Sequence, residues 1–245
     1  MNIVLFDGEP FFPRGDARFQ HIRKVLRMGV GDSFFAGRPN GPEGTATITS
    51  MDDSGVAFSF ASERPMRPLH PARVIIGFPR PIQLRRLLRD VASLGTEHIY
   101  LTGTDLGEKS YLESSLAEAD AVRECIVDGC VQAGGTAIPG LSMHASVRET
   151  LGAIEGAPFS ARVLLDVESP VSSLARFDMG SPSVERPLLL AIGSERGWSA
   201  SERALFRDAG FAVCSLGPRI LRTETAATAA LSIALANSGL LEGTK

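Results

Sequence analysis

Cysteine is scarce in this sequence, and its spacing excludes more than its number does. The three that occur, Cys125, Cys130 and Cys214, form no CxxC and cannot all pair with one another. The expectation is therefore buried structural thiols in a reducing cytosol, not a disulfide framework. Histidine is equally sparse: four residues, scattered, none in an HExxH frame, so no metal site is expected. No apolar run approaches the ~18–20 residues that span a bilayer. The stretch Met1 to Pro13 lacks the basic start and long apolar run of a secretory signal. The expected location is thus cytoplasmic, with no membrane among the partners. There is no internal repeat, no low-complexity tail and no GxGxxG, so a Rossmann dinucleotide reading is poorly supported. Charge of one sign is lacking too. Lys and Arg total 25 against 28 Asp and Glu, a formal net charge of −3, which does not announce a nucleic-acid binder.

What is present is unevenly distributed. Arg14, Arg18, Arg23, Lys24 and Arg27 crowd the N-terminal segment, opposed nearby only by Asp16. A second basic stretch carries Arg64, Arg67, Arg73, Arg80, Arg85, Arg86 and Arg89, and an acidic belt runs through Glu113, Glu118, Asp120, Glu124 and Asp128. Such clusters can neutralise a phosphate track, or they can be ordinary solvated surface. The preference for Arg over Lys suits bidentate phosphate contacts and equally a GC-rich genome.

Turn and strand spacing divides the chain. Short apolar alternations at Ser33–Ala36, Thr45–Met51 and Val56–Phe60 are separated by Pro39-Asn40-Gly41-Pro42 and Asp52-Asp53-Ser54-Gly55, which suggests a small barrel. Within it Asp16–Met28 suits a short helix. Pro65 to Pro71 has the composition of a linker. Beyond it strands and helices alternate. Strands are expected at Ala72–Phe78, Glu97–Leu101, Arg162–Val167, Leu188–Ile192 and Phe211–Leu216. Helices are expected at Ile82–Ser93, Tyr111–Gln132 and about Thr223–Asn237, with two more opened by the capping boxes Ser146–Glu149 and Ser199–Glu202.

Two segments carry chemistry. In Leu188 to Ser199 a buried strand opens into a loop with two glycines before a capped helix. Ligands in α/β folds bind outside the carboxyl ends of such strands, although an ordinary tight strand-to-helix turn would look the same. The second segment, Leu216 to Ala227, leaves a strand through Gly217-Pro218 and places Arg222 and Glu224 at the mouth of the last helix. Glu224 complements the helix dipole there, but Arg222 opposes it. A local inconsistency of that kind marks a site more often than an accident.

The run LGPRILRTETAATAAL, residues 216–231, resembles the signature of the RsmE family of SPOUT methyltransferases, which methylate N3 of a uridine in small-subunit ribosomal RNA. His21-Ile22-Arg23-Lys24-Val25-Leu26-Arg27, followed by Gly29 and Gly31, is similar to the family's N-terminal RNA-contact motif. The resemblance implies an α/β protein in two domains. Residues 1–67 would form a PUA-like small β-barrel, and residues 72–245 a SPOUT trefoil-knot domain with a mainly parallel sheet. It also implies S-adenosyl-L-methionine as cofactor, 16S rRNA or the small ribosomal subunit as partner, and a homodimer.

Three loops would cradle the cofactor: Leu165 and Asp166; Ile192, Gly193, Ser194, Glu195 and Gly197; and Leu216, Gly217, Ile220, Leu221, Thr225 and Ala226. Arg222 would orient the uracil and stabilise developing charge, and Glu224 would assist proton removal or fix Arg222. Arg23, Lys24 and Arg27 would grip RNA with His21, which could equally be a packed barrel histidine. The sequence departs from the family pattern at Ser194 and Arg196, where the cofactor loop usually reads GPEGG. It departs also at Ser93, at Val131-Gln132, and at Lys109-Ser110, which stands for a usual Arg-Ser. Two alternatives stay open at this level: a SPOUT methyltransferase with another RNA substrate, and a non-catalytic RNA-binding or assembly protein that keeps the fold.

Overall fold

The computed structural model describes residues 3–108 and 119–242. The expected first turns of the long helix from Tyr111, the Lys109-Ser110 pair, and Glu113 and Glu118 lie outside the described residues. The chain forms two units: the residues up to Pro68 together with Cys130–Ile138, and Leu69–Gly129 together with the chain from Pro139 onward.

The first unit is built on the strands β1 Val4–Leu5, β2 Phe11–Pro13, β3 Ser33–Gly37, β4 Glu43–Met51 and β5 Gly55–Arg64, which form one sheet in the order β1-β3-β4-β5-β2. β1 pairs parallel to β3 and the other pairings are antiparallel. Period-two alternation puts Phe34, Ala36, Ala46, Ile48, Val56 and Phe58 into one core. There Phe6 meets Phe58 edge-on, ring centroids 5.1 Å apart. The segment Cys130–Ile138 joins this unit by hydrogen bonds. Asn40 N–H donates to the Thr136 carbonyl at 2.8 Å, and Thr136 Oγ1 donates to the Gly41 carbonyl at 2.7 Å.

The expected helix 16–28 is shorter and less regular than its pattern suggests. Asp16 caps a single α-turn, Ala17–Gln20, which runs into a π-helical turn, His21–Val25. The wider turn keeps Ile22 fully buried while His21, Arg23, Lys24 and Arg27 are exposed. Arg27 then takes φ 55°, which stops the helix.

The strands of the second unit are β6 His70–Gly77, β7 Thr96–Thr102, β8 Gly140–His144, β9 Arg162–Leu165, β10 Ser172–Ser173, β11 Leu188–Ile192 and β12 Ala212–Ser215. They form a seven-stranded sheet in the order β10-β12-β9-β11-β6-β7-β8, and each of its pairings is parallel. β11 is central and buried at every position, as its unbroken apolar run requires. β6 begins inside the expected linker. Pro71 is tolerated because the pairing with β7 slips in register between His70 and Arg73. The short β8 and β10 carry no periodicity long enough to announce them.

Helices cover both faces. Pro81–Ser93 buries Leu84, Leu87, Leu88 and Val91. The closing helix Thr223–Asn237 packs against it through Ala227, Ala230, Leu231, Ala234 and Leu235, a stripe of helical period. The long helix is described over Ala119–Gln132. Its Gly129 is explained by close packing, since a Cβ there would sit 2.9 Å from the Ala92 Cβ. Ser199 and Glu202 form a complete capping box at the start of helix Ala200–Asp208. The one expected at Ser146 is half-formed: Ser146 receives the Glu149 N–H, but the Glu149 carboxylate takes the Ala145 N–H in place of that of Ser146. No helix among the described residues is long and apolar enough to cross a membrane.

Candidate active site

Parallel strands that end side by side leave a crevice at their carboxyl edge. In the second unit β9, β11 and β12 end together, and the loops that leave them wall a cleft of about 250 Å³. The β9 loop contributes Leu165, Asp166 and Val167, and the β11 loop contributes Ile192 through Trp198. The β12 loop contributes Leu216, Gly217, Arg219, Ile220 and Leu221, and Thr223 and Ala226 of the closing helix complete that wall.

Each loop is held in shape by a local device. Asp166 Oδ1 accepts the N–H groups of Val167 and Glu168 at 2.7 and 3.1 Å, folding the β9 loop back on itself. Its other oxygen pairs with Arg203 Nε at 2.7 Å. This hydrogen bond raises the Arg203 pKa above the ordinary value, so the guanidinium stays charged. In the β11 loop Gly197 N–H donates to the Ser194 carbonyl at 2.9 Å, closing a tight turn. A Cβ on Gly193 would lie 3.0 Å from the Gly197 Cα and 3.4 Å from the Trp198 Nε1, so the turn closes tightly only over glycine. Trp198 is 1% exposed, packs edge-on against Phe206 and leaves its indole N–H without a described partner. In the β12 loop no N–H from Gly217 to Leu221 donates to another described backbone group. Gly217, Arg219, Ile220 and Leu221 of that loop line the cleft, together with the apolar Leu165, Ile192 and Leu216.

The structure brings together twelve of the thirteen residues expected to cradle a cofactor; Thr225 is exposed and lies outside the cleft lining. Glu195 has a further task. Its Oε1 accepts the Arg80 N–H at 2.9 Å, at the N-terminus of helix Pro81–Ser93, whose own cap offers no side chain. Arg222 and Glu224 do not line the cleft, although Leu221 and Thr223 on either side of Arg222 do. Arg222 is the N-cap of the closing helix and exposed, and its guanidinium pairs with no described residue. The departures from the family pattern have local partners. Ser194 is buried with its hydroxyl 3.2 Å from Thr104 Oγ1, and Arg196 pairs with Glu108 at 2.8 Å.

Sequence reasoning missed Val167, Arg196, Trp198, Arg203, Arg219 and Thr223 as cleft-wall residues. Trp198 could have been found, as the lone Trp abutting the glycine loop. Arg203 could not, because its partner Asp166 is 37 residues away.

In the first unit His21, Arg23 and Lys24 of the π turn and Arg27 just beyond it are exposed together with Val25 and Leu26, which are 66% and 39% exposed. His21 is therefore not a packed barrel histidine.

Comparison with known proteins follows the same division. The model of the RNA methyltransferase domain matches residues 65–235, and that of the RNA methyltransferase PUA domain matches residues 15–60. The chain is 42% identical over 249 residues to Ribosomal RNA small subunit methyltransferase E of Treponema pallidum, covering 97% of this chain and 92% of that protein. It is 28% identical over 236 residues to Ribosomal RNA small subunit methyltransferase E 1 of Borreliella burgdorferi, covering 94% and 95%. The solved structure of Ribosomal RNA small subunit methyltransferase E from Neisseria gonorrhoeae bound to S-adenosyl methionine has the same fold. Its TM-score is 0.78 at 19% identity, over 96% of this chain and 97% of that one.

Proposed function

Because the chain belongs to the RNA methyltransferase family, we propose that it transfers the methyl group of S-adenosylmethionine to N3 of a uridine in 16S ribosomal RNA. The observation that carries this reading is the cleft at the ends of β9, β11 and β12, walled by the two segments that bear the family signature. The Treponema relative, named as a small-subunit ribosomal RNA methyltransferase, supports the substrate class. The Neisseria structure, bound to S-adenosyl methionine, supports the cofactor.

The cleft suits such a cofactor on its own chemistry. Leu165, Ile192, Leu216 and Leu221 offer an apolar slot for a purine, and the β12-loop N–H groups, unpaired among the described residues, offer donors to polar edges. Held there by Leu165, Ile192, Leu216 and Leu221, S-adenosylmethionine would supply an electrophilic methyl group on its sulfonium, to be exchanged for the N3 proton of the uracil.

The protein's share is to position N3 and to stabilise the uracil as that proton leaves. Arg222 is the residue for the second task. It is cationic, unpaired among the described residues and set between two residues of the cleft wall, so its guanidinium can meet charge developing on O2 or O4. Glu224, two residues on and half-buried, accepts the proton or aims Arg222. His21, Arg23, Lys24 and Arg27 grip the RNA backbone through charge. The family resemblance implies a homodimer with the partner subunit near each site. The family resemblance further implies that residues 72–245 form a trefoil-knot domain, and the substrate implies a cytoplasmic location.

Mass mapping of 16S ribosomal RNA from a deletion strain tests the reading. One N3-methyluridine should disappear and return on complementation. Its persistence in the deletion strain would remove this substrate, and a change confined to another RNA would move the activity there.

A further inference from the structure

The loop that leaves β7, Thr104 to Glu108, is fastened along the outside of the cleft wall at three points. Thr104 Oγ1 lies 3.2 Å from Ser194 Oγ at one end, and Glu108 pairs with Arg196 at 2.8 Å at the other. Between them Asp105 exchanges hydrogen bonds in both directions with the start of helix Ala200–Asp208. Its N–H donates to Glu202 Oε1 at 2.9 Å, and its Oδ2 accepts from Ser199 Oγ at 2.6 Å and from Ser201 Oγ at 2.8 Å. Glu202 is 2% exposed, and its second oxygen takes the Ser199 N–H at 2.7 Å.

The two serine oxygens are themselves 2.8 Å apart. Each hydroxyl has one proton, so either both go to Asp105 Oδ2 or one bridges the two serines while the other goes to Asp105, and in both arrangements the carboxylate anchors the pair. If it is removed, one hydroxyl turns to the other, and the β7 loop keeps only the Asp105 N–H to Glu202 and its two end contacts at Thr104 and Glu108. The helix start does not depend on it, because Ser199 Oγ still receives the Glu202 N–H at 3.1 Å.

Asp105 does not line the cleft, so it acts through what it holds. We infer that Asp105 is a positioning residue for cofactor binding, fixing the Ser194–Ser199 wall against the Thr104–Glu108 loop in the shape that S-adenosylmethionine needs. The inference rests on the proposed methyl transfer.

The test is calorimetry with S-adenosylmethionine and steady-state kinetics on the full chain, with thermal denaturation alongside. Asp105→Ala should raise Kd and KM for the cofactor about three- to tenfold, as expected for loss of charge-assisted hydrogen bonds near the surface, with a smaller effect on kcat. Asp105→Asn, which keeps an acceptor oxygen without its charge, should recover part of the affinity. Ser201→Ala should weaken binding in the wild-type background and add nothing to Asp105→Ala. It also carries the test if Asp105→Ala does not fold. Wild-type affinity in a folded Asp105→Ala, or fully additive effects of the two substitutions, would overturn the inference. A wild-type chain that binds no S-adenosylmethionine would overturn the functional reading, and this inference with it.

Discussion

Arg222 ends its strand-to-helix loop with a cation where the helix dipole wants an anion. As the N-cap it contributes no side-chain hydrogen bond to the helix start, so stability gives no reason for it. Arg222→Ala should therefore fold normally, bind S-adenosylmethionine as the wild type does, and lose about 100- to 1000-fold in methyl transfer, the usual scale for removing a donor to developing charge. Single-turnover transfer under saturating cofactor reads this directly, and an unchanged rate would take the role away from Arg222.

The cysteines make the opposite prediction, of inertness. Burial pushes the Cys130 and Cys214 thiols up to about 11 and raises Cys125 as well. A thiol pKa raised above the ordinary range lowers the thiolate fraction, to about one in a thousand at pH 8 for the first two. A chromogenic thiol reagent should find no fast-reacting cysteine in the native chain and all three cysteines after denaturation. At this scale the sequence singles out Arg222 through an electrostatic misfit, and the structure places it as the N-cap between two residues of the cleft wall. The Arg203–Asp166 pair was illegible because neither residue is unusual where it stands and only the fold joins them.

Among the elements, legibility followed length and punctuation. The closing helix was bounded at Thr223 and Asn237 by its own pattern, and Ser199–Glu202 announced its helix through a reciprocal cap that the structure contains. The five-residue β8 and two-residue β10 are set by the neighbours they pair with, and no periodicity fits in so few residues. The π turn was illegible for another reason. Its residues read as an ordinary amphipathic helix, and the extra residue per turn serves to bury Ile22 without burying the charges beside it.

The glycine loop after β11 gives this scale its prediction. A methyl group on Gly193 would press on the Gly197 backbone at 3.0–3.2 Å, and backbone cannot step aside as a side-chain tip can. Gly193→Ala should cost about 1–3 kcal/mol in chemical denaturation and weaken cofactor binding more than it weakens RNA binding. Equal affinity for S-adenosylmethionine in wild type and variant would show that the loop's tight closure does not shape the site.

For the molecule as a whole, the net charge of −3 concealed an uneven distribution of charge. The exposed turn of the first unit carries Arg23, Lys24 and Arg27, while the second unit carries the cleft. Replacing Arg23 and Arg27 with Ala should raise KM for ribosomal RNA and flatten its salt dependence by about 0.7–0.9 in log–log slope for each phosphate no longer neutralised. Cofactor affinity should not change. A shift in cofactor affinity of the same size would contradict the assignment of RNA grip and methyl donor to different units. Sedimentation at assay concentration should show a homodimer, and a monomer with full activity would contradict the proposed role of the partner subunit.

The central claim is methyl transfer to a ribosomal uridine at this cleft. Its most direct measurement is the transfer of isotope-labelled methyl from S-adenosylmethionine to small ribosomal subunits isolated from a deletion strain, followed by nucleoside digestion and mass analysis. Label in N3-methyluridine, one per subunit, is expected with the wild-type chain and almost none with Arg222→Ala. Label in another nucleoside, or equal label with both proteins, would contradict the claim.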